Sequence, residues 1–211
     1  MAKRPFAQPL RGLLQTLALL IVAGLLAIPV VAVALTDWGS SDPLWIALRI
    51  AALEAFTIVF LNIVLGSFRL FFNRLAKPRL VLSVHKFTGI SGFSLAAAHG
   101  VSVLVFGVAG YDLGALWVGP SVLAVLAGII AVALVRAPFK GTWRWIHRLN
   151  YAIFAAILAH GLILGTDLGS NTFLKVLAGI YAAVVLWGLV SRMVQSGGAA
   201  KKTRRRGASA P

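Results

Sequence analysis

The sequence predicts an all-α membrane protein, a bundle of six transmembrane helices with both termini on the cytoplasmic side. Three observations lead there. Of the 211 residues, 60% are hydrophobic and only 12% charged, about half the charge fraction of a soluble domain. Six apolar stretches are each long enough to cross a hydrocarbon core, which takes about 20 helical residues rising about 1.5 Å apiece. The basic residues are sorted by side. Strand-like alternation is absent, so helices are the means of satisfying the backbone in lipid.

The spans fall at 13–35, 44–67, 83–108, 116–136, 145–165 and 172–192. The first has an apolar core too long for a cleaved signal, and no small-residue cleavage site follows it, so it reads as a retained helix. The second holds Glu54, the only acid within a span, which reads either as a proton relay or substrate contact or, more plainly, as a group that pairs with nearby Arg49 or faces a wet mouth. The inner connection at 68–82 contains Pro78 and reads as a short interfacial turn. The third and fifth spans carry all four histidines. Small residues within spans, Gly89 and Gly92 or Gly161 and Gly165, permit either close helix contact or room for a bulky ligand. One domain covers 1–195, and 196–211 reads as a disordered, basic cytoplasmic tail that anchors topology.

A net charge of +15 raises the possibility of nucleic acid, but its distribution argues otherwise. Lys3, Arg4 and Arg11 precede span one, and Arg69, Arg74, Lys77, Arg79 and Lys86 lie between spans two and three. Arg136, Lys140, Arg144 and Arg148 lie between spans four and five, while Arg192 and five further cations follow span six. Only Arg49 and Lys175 fall on the other side, where all four Asp residues lie. Eighteen of twenty cations on one side mark that side as cytoplasmic. The expected partner of the chain is therefore the bilayer, a bacterial inner membrane, and not nucleic acid. The sequence has no Cys, which excludes disulfides, thiolate metal sites and Cys-ligated iron–sulfur clusters.

A histidine in a membrane span is costly unless it faces the bundle and finds a partner. His85 and His99 on span three are 14 residues apart, roughly 21 Å and close to four turns. His147 and His160 on span five are 13 apart, roughly 19.5 Å. Both spans run outward, so the depths match: His85 lies level with His147, and His99 with His160. Thirteen residues is about 3.6 turns, so His147 and His160 share a face only through a helix tilt, a local bulge or different imidazole reach. Two ligands per level are too few for zinc, which wants four. They equal the axial demand of haem, and an apolar bundle suits a porphyrin. Packing, polar contacts or another metal are the alternatives.

The motifs His85-Lys86-Phe87-Thr88-Gly89 with His99, and His147-Arg148-Leu149-Asn150-Tyr151 with His160, resemble the ferric reductase-like transmembrane domain family. There, a His followed by a basic residue at the inner end, with a second His 13 or 14 residues on, is the haem pattern. The resemblance is close over about 80–165 and general for the six-span layout. It implies two b-type haems, an inner one on His85 and His147 and an outer one on His99 and His160. Arg148, and less so Lys86 and Arg144, would pair with haem propionates; topology anchoring is the plainer reading. Trp143 and Trp145 read as an interfacial belt. Larger family members continue into a flavin and nicotinamide domain. The size of this chain resembles the haem-binding membrane subunit of the bacterial methionine sulfoxide reductase system. The expected function is transmembrane electron transfer as a haem-bearing oxidoreductase subunit. A separate flavoprotein or quinol would be the donor, bringing the flavin or quinone, and ferric iron, oxygen or a periplasmic reductase partner the outer acceptor. The alternatives are a small metal or proton transporter using intramembrane His, and a haem-based redox sensor.

Overall fold

The computed structural model describes residues 6–37, 42–106, 113–135, 137–139 and 141–208, with side chains through Val194. Lys3, Arg4, Asp112, Arg136 and Lys140, which enter the topology reading, lie outside the described residues. Nine helices and no strand occur among those described: α1 (Gln8–Asp37), α2 (Pro43–Ser67), α3 (Arg69–Leu75), α4 (Pro78–Phe106), α5 (Leu113–Leu134), α6 (Trp143–Arg148), α7 (Asn150–Leu164), α8 (Thr166–Ser170) and α9 (Thr172–Ala208). Six stretches are long and apolar enough to span a membrane, with α6 and α7 together forming the fifth. The all-α, six-span, multi-pass membrane architecture read from the sequence is what the chain forms.

Local chemistry sets the helix ends. Asp42 caps α2 by accepting from the Leu44 amide at 2.8 Å, with Pro43 at the first helical position, both standard starting signals. Asn171 does the same for α9, accepting from the Leu174 amide at 3.2 Å. Pro78 opens α4. The inner connection contains α3, a two-turn helix where the sequence suggests a short turn. Its end is tied to α1: the Leu75 carbonyl accepts from Arg11 Nε at 2.7 Å and from the Gln15 amide. Arg74 lies over the Phe6 ring, 3.9 Å from its centroid. The backbone of α9 continues to Ala208, across the stretch read as a disordered tail. Ala199, Ala200 and the Lys and Arg residues that follow are good helix formers.

The second span is the hub. α2 packs on α1, α4, α7 and α9, and most extensively on α4. Its Phe56 and Phe60 interleave with Phe154 of α7 and Tyr181 of α9: Phe60 stacks on Tyr181 with centroids 3.9 Å apart, and Phe56 on Phe154 at 5.2 Å. Helices in lipid gain little from hydrophobic sequestration, so close packing and hydrogen bonds hold them together. The α2–α4 contact follows that rule. A Cβ at Gly92 would come within 3.2 Å of Ile58 and Val59 side chains, and one at Gly89 within 3.3 Å of the Asn62 amide. These two glycines thus serve helix contact. α4 and α5 are neighbours, as are α5 and α7, while α4 and α7 scarcely touch. The helices α2, α4, α5 and α7 therefore form a four-sided ring with α4 and α7 on the diagonal.

Candidate functional site

The four histidines sit on the diagonal helices: His85 and His99 on α4, His160 on α7, and His147 on α6 at its entry. All four are half-buried. The inner two meet. The His85 and His147 rings have centroids 5.7 Å apart and planes at 78°. Two imidazoles that share one metal, each through a bond of about 2 Å, would hold their centroids no more than roughly 6 Å apart. The inner pair is close to that spacing. Trp143 flanks His147, with ring centroids 6.0 Å apart. His99 and His160 make no ring contact but remain within electrostatic reach of each other. Of the two pairs expected from the spacing, the inner one is in ring contact.

A ligating histidine usually donates its second ring N–H to a carbonyl, which fixes the tautomer and the ring's direction. His85 does so: its Nδ1 lies 3.2 Å from the Asn62 carbonyl, leaving Nε2 as the lone-pair nitrogen. Asn62 also grips the helix that carries the ring, its side-chain amide donating to the His85 carbonyl and, at 2.8 Å, to Thr88 Oγ1. His160 repeats the device at the other level, with Nδ1 3.3 Å from the Ala115 carbonyl of α5. Pro120 lies inside α5 and has no N–H for the carbonyl four residues back, that of Leu116, next to the carbonyl that His160 uses. Glycines accommodate both rings. A Cβ at Gly66 would lie 3.3 Å from His85 Cε1, and one at Gly119 would lie 3.1 Å from His160 Cε1. The other two histidines are held differently. His147 Nδ1 has the Asn150 amide at 3.4 Å, and His99 meets the backbone of Leu48 on α2.

The 13-residue spacing has a structural answer. A break at Leu149 separates α6 from α7, and there the Leu149 amide bonds to the Ile146 carbonyl at 3.0 Å. That is a three-residue turn, advancing about 120° per residue where an α-helix advances about 100°. The overwinding turns His147 part of the way back toward the face of His160.

No protein-family model matches the chain, and no characterised protein is significantly similar to it in sequence. The site therefore stands on its own geometry. Among the described residues, no three His, Asp or Glu side chains gather around a common point, so the paired imidazoles are the ligand set on offer. Each level presents one ring from α4 and one from the α6–α7 segment across the diagonal. One ring at each level is already oriented through Nδ1. Two imidazoles at the inner level, His85 and His147, equal the number of histidines that a bis-histidine haem takes from a protein.

The remaining sequence candidates fall elsewhere. Arg148 stacks on the exposed Trp145, 4.5 Å from the ring centroid, and Arg144 lies 5.9 Å from Trp143. Glu54 is half-buried on α2. Arg49 is bonded to Asp167, Nε to Oδ2 at 2.8 Å and Nη2 to Oδ1, with Thr36 Oγ1 also accepting at 3.3 Å. Asn62, Gly66 and Gly119 escaped the sequence reading. Asn62 left a usable signal, as an amide alone in an apolar span needs a reason to be there. A glycine in a span has too many explanations to point to one ring.

Proposed function

We propose that the protein is a transmembrane electron conduit of the ferric reductase-like kind, with His85 and His147 holding an inner b-type haem and His99 and His160 an outer one. Bound haem would supply one-electron chemistry at two depths of the bilayer. The observation that carries the proposal is the inner pair: two imidazoles from diagonal helices, 5.7 Å apart, one with its Nδ1 on a carbonyl. The protein's own share of the work is to orient these rings, to exclude water with the apolar bundle, and to place cations at the inner end. A separate flavoprotein or quinol is the donor on the cytoplasmic side. The acceptor on the outer side is ferric iron, oxygen or a partner reductase.

The test is the haem content and the reduced-minus-oxidised spectrum of protein purified in detergent after expression with ample haem. About two low-spin b-type haems per chain, indifferent to carbon monoxide, are expected for four axial histidines. Carbon monoxide binding would point to an open coordination position and a sensor. A colourless protein would end the proposal and return the histidines to a metal or proton pathway.

A further inference from the structure

The inner end of α9 bears a cation that the sequence marks only as a topology signal. Arg192 reaches to the last turn of α2, its Nε donating to the Ser67 carbonyl at 3.2 Å and its Nη2 to the Gly66 carbonyl. Carbonyls at a helix C-terminus have no helical donor, and a guanidinium there also meets the negative end of the helix dipole. That same turn of α2 touches His85 and the helix that follows His147. Gly66 faces the His85 ring, and Ser67 Oγ shares a 2.7 Å hydrogen bond with the Tyr151 hydroxyl, one turn beyond His147 in sequence. α9 sits hard against it, since a Cβ at Gly188 would come within 2.9 Å of the Ser67 side chain. The Arg192 guanidinium is thus bonded to the carbonyl of the very residue, Gly66, that lies against the His85 ring.

We infer that Arg192 tunes the inner site, its charge raising the reduction potential of the haem between His85 and His147. The inference rests on the haem reading above. A fixed positive charge disfavours the oxidised, more positive state of a nearby metal centre, and it acts more strongly in a medium of low dielectric than in water. Arg192 is exposed at the inner surface, so screening removes part of the effect. The outer level, roughly 20 Å further along the helices, feels little of it. The consequence is directional: the inner site takes an electron from a cytoplasmic donor more readily than its ligands alone would allow.

Redox titration of the purified protein tests this, with the two haems assigned through His85→Ala and His99→Ala. Arg192→Gln keeps a donor for the α2 carbonyls and removes the charge; Arg192→Lys keeps the charge. The expected result is a lower inner midpoint in the Gln variant, an unmoved outer midpoint, and a Lys variant close to wild type. An inner midpoint unchanged by Gln overturns the inference. So does a parallel shift of both midpoints, or loss of the inner haem from both variants, which would make Arg192 a cap on α2 and nothing more. A wild-type chain without haem is a separate result, which removes the electron-transfer reading and this inference with it.

Discussion

Gly66 and Gly119 each leave room for one histidine ring, His85 and His160 respectively. Each abuts the Cε1 edge of one histidine across a helix boundary, at 3.3 Å and 3.1 Å for an added Cβ. An alanine there asks the ring to give by a few tenths of an ångström; a valine asks for more. Gly66→Val is expected to reduce inner haem occupancy and spare the outer, and Gly119→Val to do the reverse, as read from haem stoichiometry and the split of the two spectral components. His99→Ala should remove the outer haem and leave much of the inner one. If neither His99→Ala nor His160→Ala loses haem, the outer pairing is wrong. At this scale the four histidines were legible, because an ionisable side chain in lipid demands a reason. The glycines were not, because what matters about them is the side chain opposite.

Elements are joined by contacts that the sequence does not announce. α2 is tied to α8 at its outer end by Arg49 and Asp167, whose side chains are only 9% and 10% exposed. Removing one partner of a buried pair strands the other charge and costs about 3–5 kcal/mol, whereas replacing both with apolar groups of similar volume is often neutral. Arg49→Ala or Asp167→Ala should therefore lower the unfolding midpoint in detergent markedly, and the double replacement Arg49→Met with Asp167→Leu should recover most of the loss. A double variant as unstable as either single one would mean that the pair serves some need other than mutual neutralisation. The charges of this pair were read as loop residues and a possible partner for Glu54. Their meeting depends on how α8 folds back over α2, 118 residues apart in the chain. The Leu149 break between α6 and α7 was likewise foreshadowed only as an irregularity in histidine spacing.

For the whole molecule, the charge asymmetry predicts the orientation. Reporters fused to the C-terminus are expected to read as cytoplasmic, and those placed in the connection between spans one and two as external, in a paired fusion assay; the opposite pattern would invert donor and acceptor sides. The described residues contain no glycine-rich nucleotide fingerprint in a strand–turn–helix setting. NADPH alone should accordingly leave the haems oxidised, while a reduced flavoprotein or quinol should reduce them. Direct reduction by NADPH would reveal a nucleotide site on this chain.

Composition and apolar run length were enough by themselves to give six membrane-crossing helices, because the bilayer imposes length and polarity on every span separately; charge asymmetry adds the expected orientation. Histidine spacing determined depth, because rise per residue is nearly constant in a helix. Which helices become neighbours was decided only in three dimensions. The α2 hub, the diagonal of α4 and α7, the carbonyls of Asn62 and Ala115 that aim two imidazoles, and the reach of Arg192 to α2 all depend on interhelical packing. Lipid is as apolar as the helix surfaces themselves, so hydrophobicity cannot select the partner; close fit and hydrogen bonds do.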